Sequence, residues 1–209
     1  MIVIEFENLK LKLIDDDDIE TIRVWRNLPH VAEHMEYQLE ISAEDQKIWF
    51  NSLQTKEHLY FMILISDLPI GMVNLKNIDW EGKQAEAGVF IGRDDFRGTI
   101  TPILSVFILM KLVFECLGFE KLQAKISNKN LVALQFNKEL GYKITYAINE
   151  LFDLYTCYKN DFYAPERGIA KIQDLFTRNG LIRIHIDKDS NWLVGHLNID
   201  DRFFQLILE

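Results

Sequence analysis

The turn Arg97-Gly98-Thr99 lies between a predicted strand, Gln84 to Ile91, and a predicted helix that begins at Thr101. The first backbone N–H groups of a helix have no partner inside the helix and can point at an anion. Glycine has no Cβ, so a glycine in such a turn lets the backbone approach phosphate oxygens. By itself the dipeptide Arg97-Gly98 is more typical of a surface turn, and it indicates a phosphate site only together with its neighbours.

A second pattern follows the turn along the chain. Asn130-Leu131-Val132-Ala133 opens a predicted amphipathic helix, and Leu140-Gly141-Tyr142 closes it. Glycine is favoured just past the end of a helix because it readily adopts positive φ. The pattern therefore predicts a helix over Leu131 to Leu140.

Hydrophobic periodicity and turn residues predict the elements that position these motifs. Helices are predicted near Ile19 to Trp25, where Asp15 to Asp18 precede an apolar pattern, and from Ser42 to Leu53, with Ile48, Trp49 and Leu53 buried. A buried helix is predicted over Thr101 to Leu117, ended by Gly118. The predicted strands are Leu9 to Leu13, Leu59 to Ile65, Gly71 to Ile78, Gln84 to Ile91, Lys121 to Ile126 and a hairpin over Tyr142 to Tyr158 around Asn149. This order predicts an α/β fold with a mixed sheet.

Taken in order, these motifs resemble the acyl-CoA-binding half of the GNAT superfamily of N-acetyltransferases. The resemblance extends upstream and covers roughly residues 9 to 150. The order of the segments is similar to that in two branches of the superfamily, the ribosomal-protein N-terminal acetyltransferases and the nucleotide-amino-sugar N-acetyltransferases of the pseudaminic acid type. The upstream segments that carry it are Leu11-Lys12-Leu13, Asp18, Trp25-Arg26-Asn27, Ile41-Ser42 with Trp49, Ile70-Gly71 and Ala85 to Gly88.

The resemblance implies that acetyl-CoA is the co-substrate. The residues that it places along the cofactor are Phe90, Ile91, Gly92, Arg97, Gly98, Thr99, Ile100, Thr101, Asn130 and Asn137. Ile100 and Pro102 stand where the family has glycine or alanine. The branched Cβ of Ile100 is expected to crowd the phosphate, and Pro102 lacks an N–H donor. Binding is then expected to be weakened, absent, or shifted onto Arg97 and the hydroxyls of Thr99 and Thr101.

The implied reaction is direct attack of a neutral amine on the acetyl thioester. Glu86 lies where the family often has the carboxylate that accepts the amine's proton. An equal alternative is that Glu86 only bonds backbone groups where two strands separate. Asn137 replaces the tyrosine that often protonates the thiolate, which leaves Tyr142 or solvent for that step. Tyr142 is also typical of a core strand residue.

The first helix and its surroundings are expected to hold the acceptor through Trp25, Arg26, His30 and Trp80. Arginine suits the diphosphate of a nucleotide sugar. Trp25 is more typical of a core anchor. His30 and His34 lack a third ligand, so no metal site is predicted.

Three functions remain open at the level of sequence. The first is acetylation of a small amine, preferentially an amino sugar on a nucleotide. The second is acetylation of a protein N-terminus. The third is a non-catalytic binding or assembly module that keeps the fold but has a degenerate phosphate turn.

Composition limits the partners. The formal net charge is −9, from 23 Lys+Arg and 32 Asp+Glu, so nucleic acid is not expected as a general partner. The apolar segments have neither the length nor the flanks of a membrane span or signal peptide, which predicts a cytoplasmic protein without a membrane partner. Cys116 and Cys157 have no metal or disulfide spacing and are expected to be reduced.

Residues 1–160 are predicted to form the acetyltransferase-like domain and residues 161–209 a β-rich extension. The extension is predicted to contain a helix from Ile169 to Arg178 and strands over Leu181 to Ile186, Trp192 to Ile199 and Phe203 to Leu208. So few residues bury little surface alone. The extension is therefore expected to pack on the main body or on a second copy, which would make a homodimer.

Overall fold

The computed structural model describes residues 1–53, 55–164, 180–200 and 202–209. Its helices are α1 (Ile19–Arg26), α2 (Pro29–Ala32), α3 (Ala43–Ser52), α4 (Thr101–Lys111), α5 (Leu131–Leu140) and α6 (Lys159–Phe162). Its strands are β1 (Ile2–Phe6), β2 (Leu9–Leu13), β3 (Leu59–Ile65), β4 (Leu68–Asp79), β5 (Gln84–Ile91), β6 (Lys121–Ser127), β7 (Lys143–Ala147), β8 (Phe152–Tyr158), β9 (Ile182–Ile186) and β10 (Phe204–Leu208). The predicted α/β fold with a mixed sheet is confirmed.

The described strands form one sheet in the order β10-β9-β1-β2-β3-β4-β5-β6-β8-β7. Neighbouring strands are antiparallel except at two places, where β5 pairs with β6 and β9 pairs with β10 in parallel. The connection from β5 to β6 contains α4, as a parallel crossover requires. Helices α4 and α5 are the next α-helices after β5 and β6, and residues 92–100 and 128–130 connect each strand to its helix.

Alternation along the strands separates two hydrophobic clusters. On β3, Phe61 belongs to the large cluster that contains α4, whereas the next residue, Met62, belongs to a small cluster with Ile22 and Trp25 of α1. Successive side chains of a strand point to opposite faces of the sheet. Helix α4 therefore covers one face of the sheet, and α1 covers the other.

Capping boxes precede α1 and α3. The side chain of Asp15 accepts from Asp17 N ahead of α1, and that of Ser42 accepts from Asp45 N ahead of α3. Within α3 the predicted burial was wrong for Ile48, whose side chain is 62% exposed, because Gln46 and Phe50 occupy the inner face instead.

Helix α4 ends differently from its prediction. Its last turn, Leu112–Cys116, is a π-helical turn, and Gly118 then adopts φ +66° before β6. A π turn holds an extra residue and rotates the side chains that follow it. Cys116 is buried in that turn, and Cys157 is buried on β8.

The C-terminal segment joins the main sheet. Strand β9 pairs antiparallel with β1, whose residues the sequence did not identify as a strand, and β10 pairs with β9. The predicted strand over Trp192 to Ile199 is wrong, because Lys188–His196 is a 3-10 helix whose first turn is capped by Asp187 accepting from Ser190 N. The predicted helix from Ile169 to Arg178 lies outside the described residues. The division at residue 160 and the homodimer stay predictions.

No helix in the described part of the chain is long and apolar enough to cross a membrane.

Gly92 follows β5 and lies against the indole ring of Trp25. A Cβ built on Gly92 would come within 2.1 Å of the Trp25 ring atom Cδ2. Trp25 is buried and makes an edge contact with Phe90, with ring centroids 6.4 Å apart. Gly92 is therefore required by the packing of Trp25, and both residues act as parts of the small cluster.

We expect Gly92→Ala to lower the free energy of unfolding by about 1–3 kcal/mol, because the added methyl group overpacks the Trp25 ring. Urea denaturation of the variant and the wild type measures the difference. Gly195→Ala is the matched control, since no atom lies within 4 Å of its built Cβ. Equal stability of Gly92→Ala and wild type would contradict this assignment.

Candidate functional site

Strands β5 and β6 pair over only part of their length. The parallel ladder joins Gln84 to Lys121, Ala85 to Leu122 and Glu86 to Gln123, and it stops there although β5 continues to Ile91. Strand β6 remains paired with β8 on its other side as far as Ser127. The edge of β5 from Ala87 to Ile91 is therefore open toward β6, and its outward backbone groups are available to a ligand.

A cavity of about 1070 Å³ fills this opening. Its walls include β5 from Glu86 to Ile91, β6 from Ala124 to Ser127, β4 from Met72 to Lys76, and residues along the length of α4 and α5. The volume is at the upper end of the range for ligand pockets, and the lining is mostly apolar with a few polar groups. Such a site suits a long, flexible ligand with a polar head.

The turn before α4 presents free backbone donors at one end of this cavity. The N–H groups of Gly98 and Ile103, two residues that line the cavity, have no hydrogen-bond partner among the described residues. Gly98 has φ +73°, a conformation that glycine adopts without strain. Free N–H groups at the start of a helix are of the kind that bind anions.

The side chains of this turn do not follow the expectation from sequence. Ile100 is 51% exposed and does not line the cavity, so its branched Cβ is not in the way of a ligand. Arg97, Gly98, Thr99 and Pro102 line the cavity, whereas Thr101 does not. The guanidinium of Arg97 donates to Asp94 Oδ1 at 3.0 Å, and the hydroxyl of Thr99 donates to the carbonyl of Phe96.

Asn130 fixes the junction between β6 and α5. Its side chain accepts a hydrogen bond from Ala133 N at 2.9 Å and so caps the helix. Gly141 ends α5 with φ +104°. Asn137 donates from its side chain to the carbonyl of Ala133 at 2.8 Å, and both asparagines line the cavity.

A row of polar residues crosses the face of the sheet opposite α4. Asn74 of β4 pairs with Gly88 of β5, and Lys76 pairs with Glu86. Lys76 Nζ lies 2.7 Å from Glu86 Oε1, and the Asn77 side chain donates to Glu86 Oε2 at 3.3 Å. Glu86 is thus held on the cavity wall by a cation and an amide.

Arg26 of α1 lies on the same wall without a counterion. It makes no salt bridge with any described residue, and its buried Nε has no hydrogen-bond partner. Burial lowers the pKa of Arg26, an effect that the nearby Tyr60 partly opposes. Burial likewise raises the pKa of Tyr60, and Glu86 adds to that rise. A half-buried guanidinium whose Nε has no partner favours an anionic ligand.

Tyr142 follows α5 and is only 4% exposed, yet it lines the cavity. Burial raises the pKa of its phenol well above the ordinary value, and Cys157 adds to that rise. The phenol is therefore protonated at neutral pH, and it is a weak acid.

Of the residues singled out from sequence, the cavity brings together Glu86, Tyr142, Phe90, Ile91, Arg97, Gly98, Thr99, Asn130, Asn137, Arg26 and His30. Trp25 and Gly92 pack in the small cluster instead, and Ile100 and Thr101 do not line the cavity. Trp80 is not at the site either. Its ring stacks on His196 at 4.2 Å, and its Nε1 donates to the carbonyl of Lys56.

Reasoning from sequence missed Asn74, Lys76 and Tyr60, which also line the cavity. They belong to strands that are otherwise apolar, and a polar residue at an inward position of such a strand is the signal that could have found them. Among the described residues, no group of three or more His, Cys, Asp or Glu side chains is arranged to hold a metal ion.

Comparison with known proteins gives consistent results. Residues 11–155 match the family model for the acetyltransferase (GNAT) domain. A comparison with curated protein sequences found no significant match.

Three solved structures with the same fold illustrate the similarity, and two of them are described as acetyltransferases. A domain from Methanocaldococcus jannaschii is 23% identical, with a TM-score of 0.63, and the match covers 76% of this chain and 98% of that one. Spermidine N-acetyltransferase from Vibrio cholerae, solved with CoA and spermine, is 16% identical with a TM-score of 0.65, covering 76% and 100%. The ribosomal L7/L12 alpha-N-protein acetyltransferase RimL, solved with coenzyme A, is 15% identical with a TM-score of 0.64, covering 75% and 97%.

We expect Asn130→Ala to destabilise the protein by about 1 kcal/mol, because it removes the side-chain cap of α5. Thermal or urea denaturation measures the change. Asn130→Asp keeps an acceptor oxygen at the cap and serves as the control, with stability close to that of the wild type. An Ala variant as stable as the Asp variant would show that the cap contributes nothing.

Proposed function

Because this chain belongs to the GNAT acetyltransferase family, we propose that it acetylates an amine that also carries an anionic group, namely an amino sugar on a nucleotide. The chain is an N-acetyltransferase, and its co-substrate is acetyl-CoA. The observation that carries the acceptor proposal is Arg26, a guanidinium on the cavity wall without a carboxylate partner.

The geometry of the site fits the co-substrate. The free N–H groups of Gly98 and Ile103 suit the pyrophosphate, and the open edge of β5 suits the amide groups of the pantetheine arm. Helix α5 flanks the arm through Asn130 and Asn137.

The charges of the cavity favour an anionic acceptor over a polyamine. Three carboxylates line it: Glu86 pairs with Lys76, Glu36 pairs with Lys125 at 2.9 Å, and Glu139 of α5 accepts a hydrogen bond from the Gln135 side chain, so two of the three are neutralised. A polyamine needs uncompensated carboxylates, and an acidic groove would also suit a protein N-terminus. Arg26 instead offers charge-assisted hydrogen bonds to a phosphate.

In the proposed reaction the neutral amine attacks the thioester carbonyl carbon. A C–N bond forms, the C–S bond breaks, and the amine's proton passes to Glu86, directly or through water. The thiolate of CoA leaves and takes a proton from Tyr142 or from solvent. Lys76 and Asn77 hold the Glu86 carboxylate in place during this transfer.

The acceptor is tested by supplying acetyl-CoA with a nucleotide-linked amino sugar, spermidine or a peptide with a free N-terminus, and by measuring the release of free thiol. We expect the amino sugar to have the highest kcat/KM. Arg26→Met removes a charged donor, which should raise the KM of that acceptor about 10- to 100-fold. The KM for acetyl-CoA should stay the same.

Arg26→Lys is the matched control, because it keeps the charge and loses only the planar fork. Its KM for the amino sugar should lie between those of the wild type and Arg26→Met. Preference for spermidine or for the peptide would overturn the proposed acceptor, while leaving acetyl-CoA as the donor.

The role of Glu86 is tested by Glu86→Gln. We expect kcat to fall about 10²- to 10⁴-fold at neutral pH, because the amine's proton loses its acceptor. The loss should shrink as the pH rises toward the pKa of the acceptor amine, where solvent supplies the neutral amine.

A pH profile of kcat/KM for the variant and the wild type measures this. A loss of the same size at every pH would indicate that Glu86 only stabilises the strand opening. Glu57→Gln, which makes the same change at an exposed carboxylate that does not line the cavity, is the control and should retain the wild-type form of the profile.

A further inference from the structure

Asn74 lies on β4 at the centre of the cavity wall. It is 8% exposed and lines the cavity, although most of its strand neighbours are apolar. Its side-chain amide makes no hydrogen bond with a described residue, and its nitrogen and oxygen keep accessible surface, as expected for groups that line a cavity. An amide that has no partner within the protein is available to a group of a bound ligand.

Gly88 explains how this amide reaches the opening. The two residues are paired across β4 and β5, and a Cβ built on Gly88 would come within 2.9 Å of Asn74 Oδ1. The amide of Asn74 therefore lies over the backbone of Gly88. Gly88 belongs to the open part of β5, just past the last pair that β5 makes with β6.

Asn74 is also in line with the proposed base. Residues two apart on a strand share a face and are separated by roughly 7 Å, so Asn74 and Lys76 are neighbours on β4, as Gly88 and Glu86 are on β5. Lys76 is occupied by Glu86. Asn74 is thus the uncommitted donor beside the base, on the same face of the sheet.

We propose that Asn74 is a catalytic residue, whose side-chain N–H donates a hydrogen bond to the carbonyl oxygen of the acetyl thioester. When the amine attacks, negative charge develops on that oxygen as the tetrahedral intermediate forms. The Asn74 amide stabilises this charge until the C=O double bond re-forms and the C–S bond breaks, when the charge leaves on the sulfur of the CoA thiolate. A fixed donor in a site shielded from water contributes strongly to such a step. This inference rests on the proposed transfer from acetyl-CoA.

The kinetic test compares Asn74→Ala and Asn74→Asp with the wild type. Asn74→Asp keeps the shape of the side chain but replaces the donor by an oxygen. We expect kcat to fall roughly 10²-fold or more in both variants, the effect typical of removing one oxyanion donor. The KM values for acetyl-CoA and for the acceptor should change little. Asn51→Ala, which truncates an exposed amide on α3, is the control and should keep full activity.

The spectroscopic test needs no acceptor. The carbonyl stretch of bound [1-¹³C]acetyl-CoA is measured by difference infrared spectroscopy. A hydrogen bond from Asn74 lowers this frequency, so we expect a lower frequency in the wild type than in Asn74→Ala.

Equal carbonyl frequencies in the two proteins, or a kcat within about threefold of wild type, would overturn the proposal. A raised acceptor KM with kcat intact would also overturn it, since Asn74 would then bind the acceptor. Because the infrared result involves acetyl-CoA alone, it holds even if the amino sugar proves to be the wrong acceptor. The two proposals therefore fail separately.

Discussion

The partial pairing of β5 and β6 is the constraint on which the site depends. Three residue pairs hold the strands together at one end, and the pairing of β6 with β8 keeps β6 from closing onto β5. An unpaired strand edge in a protein interior is unfavourable unless another group bonds to it. The opening thus creates both the space for a co-substrate and the backbone groups that need one.

The small cluster on the α1 face determines what else faces this opening. Trp25 packs edge-on against Phe90 on that face, and the absence of a Cβ at Gly92 leaves space for the indole ring. The polar row of Asn74, Lys76 and Glu86 begins where this apolar packing stops. The charged and hydrogen-bonding side chains of this row therefore lie together at one edge of the opening. Arg26 of α1 lines the same cavity.

Local patterns predicted much of this architecture, and long-range pairing accounts for the rest. The bounds of β2, β3, β5 and α5 were predicted from alternation and turn residues, which are properties of the segments themselves. Strand β1 was missed because it depends on β9, which is distant in sequence. Trp80 was misplaced because its position is set by His196, and Asn74 was missed because its role depends on the register with Gly88.

The turn before α4 shows what a residue motif leaves undecided about a phosphate site. Ile100 and Pro102 replace small residues of the family pattern, and from sequence the Cβ of Ile100 was expected to crowd the phosphate and Pro102 to lack a donor, so that binding would be weakened, shifted or absent. What an anion requires is a set of free N–H groups with a common direction, and backbone conformation decides that. Gly98 supplies the positive φ and a free N–H, and the side chain of Ile100 is half exposed and does not line the cavity. Pro102 occupies the first turn of α4, where its missing donor has no partner within the helix to lose. The free N–H groups of Gly98 and Ile103 therefore do not depend on the two residue types that differ from the family pattern.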